Sequence, residues 1–222
     1  MNKFKIIFKF LISLPKTIFF NFRVFPLKIA IKLPVAIAYN VNIKQLYKNC
    51  VLIKDEKISL FMIKIGFLGS EAISENKSIF FMNKKGKGKL VFYGKAKFSS
   101  GITLFNNTGT IIFGKNFSAN KNCFISCDNK IVFGDDCLLG WNINIRDSDG
   151  HKIYPQKESN KDIIIGKHVW ICANVDILKN NIVGDNCIIA YNSCLTGIKC
   201  DNNKLIGGYP AKVLKENVNW EI

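Results

Sequence analysis

IGKHVWICANVDILKNNIVGDNCIIAYNSCL, residues 165–195, counts in sixes. Ile165, Ile171, Ile177, Val183, Ile189 and Leu195 each stand six residues from the next. Four residues past the anchors come smaller or β-branched side chains, at Val169, Val175, Asn181, Cys187 and Ser193. Glycine follows the anchor in Ile165-Gly166 and Val183-Gly184. A period of six is neither the 3.6 of a helix nor the simple alternation of a half-buried strand. It predicts a β-solenoid, in which each turn buries its apolar side by stacking on its neighbours.

The same count runs upstream through Phe133, Leu139 and Ile145, and less regularly through Phe113, Ala119, Ile125 and Ile131. Phe133 restarts it two residues late, which predicts a small insertion near Asn129. Between Ile145 and Ile165 the polar segment 146–162 carries Asp147, Asp149, His151 and Tyr154. Its polarity predicts a loop that leaves the solenoid wall. Alternation in Cys50-Val51-Leu52-Ile53 and Leu60-Phe61-Met62-Ile63-Lys64-Ile65 predicts earlier strands, and Lys84–Lys89 reads as an exposed turn.

Three pieces, in order, carry a family resemblance: Asp147-Ser148-Asp149-Gly150-His151, Ile165-Gly166-Lys167-His168-Val169-Trp170-Ile171 and Gly207-Gly208-Tyr209-Pro210-Ala211-Lys212-Val213. Together with the repeat, over roughly residues 90–216, they resemble the hexapeptide-repeat acyltransferases, and among them the O-acetyltransferases of surface polysaccharide biosynthesis. The resemblance implies a mainly β chain, a left-handed parallel β-helix solenoid with a short N-terminal helical or strand preface and a C-terminal tail helix. The expected division is 1–48 for the preface, 49–206 for the β-helix with loop 146–162, and 207–222 for the tail. It implies transfer of an acetyl group from acetyl-CoA to a sugar hydroxyl, with His151 as general base. Asp147, Asp149 and Trp170 would bind the acceptor or orient the imidazole, with packing the simpler reading of Trp170. Ala173, Tyr191, Thr196, Gly197, Lys212 and Lys215 fall where the family contacts coenzyme A, and a homotrimer with sites between subunits is expected. The chain departs from the family at Cys172, where glycine is usual, and at Tyr209, where asparagine is usual. It also lacks the lysine that usually follows the final coil's threonine, Thr196 here.

Composition narrows the alternatives. The 222 residues are 48% hydrophobic and 22% charged, a folded composition, with a formal net charge of +16. That charge points to an anionic membrane, an anionic substrate or nucleic acid, and the absence of any aromatic–basic RNA motif or zinc-finger spacing sets nucleic acid aside. The lysine excess also has a compositional reading. Eight cysteines without a CxxC pair, and two distant histidines, give neither a disulfide scaffold nor a zinc site, and fit a reducing cytoplasm. Most of the cysteines lie in repeats, where they serve as small apolar side chains. Residues 1–54 hold ten Lys or Arg and no acid before Asp55. This basic apolar segment reads either as a layer on the anionic inner face of a membrane or as a cap on the solenoid's open end. No uncharged apolar run approaches the ~20 residues of a spanning helix. Pro15, Pro26 and Pro34 are expected to break or kink it. The competing reading of the whole chain is a non-catalytic trimeric scaffold or binding module, which coenzyme-A binding would exclude.

Overall fold

The computed structural model describes residues 3–67, 69–74, 76–155 and 159–221. The anchors predicted from the period of six all point inward. Phe133, Leu139, Ile145, Ile165, Ile171, Ile177, Val183, Ile189 and Leu195 are at most 1% exposed. Short strands alternate with corners, and every third strand lies in parallel register beside the one a coil below it. Among the described residues three sheets of nine, seven and seven strands result, the faces of a left-handed parallel β-helix. The first face starts at Val35–Ile37, the second at Asn42–Lys44 and the third at Val51–Ile53. The solenoid therefore begins earlier than the boundary expected at residue 49, because insertions between the first strands hide their spacing.

Coil width follows core filling. In the upper coils Trp170 lies beside Ile188 and Ile165 beside Val183, three sixes apart. Lower down, Ile111 lies beside Ile131 and Ser118 beside Leu138, two residues further. The excess is the insertion expected near Asn129. Phe124–Cys127 is a four-residue strand, and Cys127 makes an added inward position above Asn106 and Met82, all fully buried. These wider coils are filled by rings. Phe92, Phe113 and Phe133 stack at 5.0 and 5.6 Å between centroids, and Phe98 meets Phe113 edge-on at 5.1 Å.

Two corners are built on asparagine. Asn122, Asn142, Asn174 and Asn192 succeed one another at the turn from first to second face, each with φ between 55° and 59°. Asn116, Asp136, His168, Asn186 and Asn203 do the same at the turn from third to first face. Left-handed backbone is disfavoured for most L-residues and least so for Asn and Asp, whose short side chains can bond locally. Here they bond upward: the Asn142 amide donates to Asn174 Oδ1 at 3.0 Å, and the Asn186 amide to Asn203 Oδ1 at 2.7 Å.

The two ends are closed differently. At the bottom, helix α1 (Lys3–Val24) lays Ser13, Thr17 and Asn21, spaced at i, i+4 and i+8, along the otherwise unpaired edge of Val35–Ile37. Thr17 Oγ1 accepts from the Ile37 N–H at 3.0 Å, and Ser13 Oγ from that of Tyr39 at 2.9 Å. The Asn21 amide donates to the Val35 carbonyl at 2.7 Å, and its oxygen accepts from the Val35 N–H at 3.2 Å. Phe20 and Val24, fully buried, plug the core beside them. Pro15 does not break α1, contrary to expectation; the edge contacts on both sides of it hold the helix through. Pro26 does end it, before the short α2 (Leu27–Ala30).

At the top, the expected tail helix is instead a strand. Ala211–Glu216 folds back antiparallel on Lys204–Gly208. Lys, Leu and Glu suit a helix locally, but the reversal through Gly208, at φ +107°, lets the segment satisfy the last edge of the first face. Edge pairing outweighs local propensity here.

Replacing Asn21 with leucine strips both backbone groups of Val35 of their partner in a buried setting. Thermal or urea unfolding is expected to show a loss of about 2–4 kcal/mol, whereas the same change at exposed Asn219 is expected to stay within about 0.5 kcal/mol.

Candidate active site

The loop that carries His151 starts where the second-face strand Asn144–Arg146 ends, at the corner between second and third faces. Asp147 then turns inward and is fully buried. Its carboxylate accepts the N–H groups of Asp128 and Asn129, both at 2.8 Å, and the Cys127 thiol at 3.2 Å. Burial pushes its carboxyl above the ordinary range, against the pull of those donors. The neck above is an antiparallel crossing of Ser148 and Asn160. The Lys161 N–H reaches the Asp147 carbonyl at 2.9 Å, and the Asp149 N–H reaches that of Ser159 at 3.1 Å. Asp149 pairs with Lys179 of the next coil. Gly150, at φ +73° with open space around it, reverses the chain and leaves His151 exposed outside the wall. Residues 156–158 of the loop lie outside the described residues.

This placement revises the role expected of Asp147. Asp147 holds the corner and, being sealed from solvent, neither orients His151 nor touches an acceptor. Asp149 fixes the neck through Lys179. Trp170 is 37% exposed on the first face, the face opposite the loop's corner, so the coil path of one chain does not bring it to His151. It lies 5.9 Å from the ring of Trp220, which is buried, stacks on His168 at 4.2 Å and donates to the His168 carbonyl at 2.8 Å. His168 is thereby structural.

The residues aligned to coenzyme contacts divide into three groups. Thr196 and exposed Gly197 share the loop's corner, two coils above it. Ala173, 6% exposed, and Tyr191, 62% exposed, sit at the next corner, where the Asn174 amide donates to the Tyr191 hydroxyl at 2.7 Å. Lys212 and Lys215 are exposed on the returning strand of the first face.

One polar row escaped the sequence reading. On the second face, beside the loop's base, the Asn144 amide donates to Asp176 Oδ1 at 2.7 Å. Arg146 donates to Asn144 Oδ1 at 2.9 Å and lies over the Phe124 ring at 4.7 Å. The signal was available: the outward position just before an anchor is polar at Asn144 and Asp176 but isoleucine at Ile164, Ile182 and Ile188. Such a row, flanked by an aromatic face, suits a polyhydroxylated ligand. All eight cysteines are free thiols, and burial pushes Cys123 and Cys137 up to about 12, so these carry no thiolate for nucleophilic attack.

The fold is the one the motif resemblance implied, and the sequence has O-acetyltransferases among its relatives. The chain is 32% identical over 123 residues to the polysialic acid O-acetyltransferase of Neisseria meningitidis, covering 53% of this chain and 57% of that protein. To the galactoside O-acetyltransferase of Escherichia coli (strain K12) it is 31% identical over 117 residues, covering 50% and 57%. The solved structure of the polySia-specific acetyltransferase NeuO superposes with a TM-score of 0.58 at 21% identity, over 85% of this chain and 79% of that one, a likeness of fold. No family model matches the chain. It spans a little more than half the length of the two curated relatives.

Asp147→Ala leaves two backbone N–H groups buried without an acceptor, and denaturant unfolding is expected to show a loss of about 2–4 kcal/mol. Asp149→Ala removes a partly exposed ion pair and is expected to lose no more than about 1 kcal/mol. Because the folded state holds the Asp147 proton more tightly than the unfolded chain, wild type gains stability relative to Asp147→Asn as pH falls from neutral through the carboxyl's raised range. A gap that stays constant from neutral pH to that range would show that Asp147 titrates alike in both states.

Proposed function

We propose that the chain is an O-acetyltransferase that moves an acetyl group from acetyl-CoA to a sugar hydroxyl of a surface glycan or its precursor, with His151 as general base. The observation that carries this reading is the braced neck that presents an exposed imidazole, beside a polar row, on a fold whose sequence relatives are O-acetyltransferases. A neutral imidazole is a competent general base for the hydroxyl proton. The sugar oxygen attacks the thioester carbonyl, the tetrahedral intermediate collapses, and His151 returns its proton to the departing thiolate sulfur. No covalent enzyme intermediate is required. Asn144, Asp176 and Arg146 would contact the acceptor.

Coenzyme A fits the surface as substrate. Lys212 and Lys215 suit its phosphates, and the exposed positions at Tyr191, Thr196 and Gly197 leave room along the coils for its pantetheine arm. Since Trp170, Tyr191 and the lysines lie away from the loop's corner, a complete site needs a second chain beside the first. The third face supports a trimer: Leu52, Val91, Ile112, Val132, Ile164 and Ile182 project outward in one aliphatic row, each beside the next in register. Free thiols throughout support a reducing compartment.

The test is release of coenzyme A from acetyl-CoA across nucleotide sugars, free sugars and lipid-linked glycans. Wild type is expected to show acceptor-dependent release, and His151→Ala to lower kcat by roughly 10²–10⁴ with the melting temperature unchanged. Release that survives the substitution removes His151 as base. Absence of both release and coenzyme binding makes the chain a scaffold. In analytical ultracentrifugation wild type is expected as a trimer and Ile164→Lys/Ile182→Lys as a monomer; a trimer that persists in the variant assigns the interface to another face.

A further inference from the structure

Helix α1 has two apolar-capable sides, and the cap uses only one. Ser13, Thr17, Phe20, Asn21 and Val24 face the solenoid and are buried. On the opposite side, at i, i+7, i+8 and i+11, Leu11, Ile18, Phe19 and Phe22 are 57%, 45%, 59% and 50% exposed. Leu27 and Ile31 extend the same outer surface at 67% and 62%. Core formation does not explain six large apolar side chains on one convex ridge. Around the ridge stand the exposed cations Arg23, Lys28 and Lys32, in a segment with no acid before Asp55.

We propose that this outer side of α1 with α2 docks on an anionic phospholipid surface. Apolar side chains would enter the headgroup boundary while the flanking cations meet lipid phosphates, the arrangement of an interfacial helix. Charge decides against a second copy of the chain, because ridge-to-ridge pairing would set the two cation clusters against each other. It also decides against a typical protein partner, whose buried contacts are depleted in lysine. No helix among the described residues is long and apolar enough to cross a membrane, so α1 lies on the surface. Its polar stripe bonds the bottom edge of the first coil, so the solenoid stands on the bilayer with its coils stacked away from it. The strand before His151 is the fifth on the second face. At about 4.8 Å per coil, the imidazole's corner stands roughly 20 Å above the first coil, a height suited to the sugar portion of a membrane-attached glycan. The docking surface does not rest on the acyl-transfer reading; only the choice of glycan does.

The experiment is sedimentation of the full chain with vesicles of phosphatidylcholine alone or with phosphatidylglycerol. Binding is expected only to the anionic vesicles and to weaken as salt rises. Arg23→Glu/Lys28→Glu/Lys32→Glu is expected to weaken it at least about a hundredfold, from roughly fivefold per cation. Phe19→Ser/Phe22→Ser is expected to abolish it, with circular dichroism and melting temperature little changed because both rings lie on the exposed side of α1. Asn21→Leu supplies the converse, lowering the melting temperature while vesicle binding below that temperature persists. Failure to bind anionic vesicles, or binding that both outer-face variants retain, overturns the proposal. So does a lipid-free dimer that Phe19→Ser/Phe22→Ser dissociates, which assigns the ridge to a second copy. Acetyl-CoA turnover on soluble sugars is expected to be unaffected by Phe19→Ser/Phe22→Ser, which keeps the two readings separable.

Discussion

In a parallel solenoid the strands of one coil bond to the coils above and below, and not to one another. Ile63–Ile65 lies between Val35–Ile37 and Ala96–Phe98, and the later strands of that face as far as Lys204–Gly208 are likewise flanked on both sides. A single coil therefore has neither a paired backbone nor a closed core. The inward columns, such as Phe133 with Ile165 and Leu139 with Ile171, exist only because the stack exists. Such a structure has no internal reason to stop, and its ends become the points where free energy is decided.

The two ends meet this constraint with opposite devices. At the bottom, side chains substitute for a strand: Ser13, Thr17 and Asn21 supply alternating acceptors and donors to an edge that another coil would otherwise occupy. A helix is suited to this because residues four apart lie on one face, close to the spacing at which an edge presents its groups. At the top, the chain supplies the missing strand itself, and Ala211–Glu216 turns the final parallel edge into an antiparallel one. Trp220 then returns across His168, so the last residues brace the first face from outside.

What was legible in the sequence follows from where a position's partners lie. Residues 165–195 declare themselves because each coil is three sixes long and each anchor is aliphatic, so spacing alone carries the geometry. Between Val35 and Phe113 the same architecture is concealed: segments such as 66–78 separate consecutive strands, and phenylalanine replaces the aliphatic anchor where the coil is wider. The cap and the returning strand were hidden for a different reason. Their shape is set by a backbone edge distant in sequence, which local propensity does not report. At the site, His151 was found through the order of motifs, whereas Asp147 was assigned to chemistry because burial was invisible. The column of Met82, Asn106 and Cys127 leads to Asp147 as its next inward member, and that count would have placed it in the wall.

The corners explain why one of them can open. On two of the three, an uninterrupted run of Asn, Asp or His holds left-handed backbone, and amides pass from coil to coil, as from Asn122 to Asn142 to Asn174. An insertion there would cut a ladder on which coils above and below both depend. The third corner is less uniform: Asn107 bonds to Asp128, and the next coil up meets that turn through a carboxylate in place of an amide. Asp147 satisfies the N–H groups of Asp128 and Asn129 before the chain departs, and Asn129 reaches Asp162 where it returns. The wall is thus complete whether or not the intervening residues lie on it. A long polar loop can leave at this corner without unsealing the core, and a histidine set on it is positioned by the neck while remaining outside the packing that the fold requires.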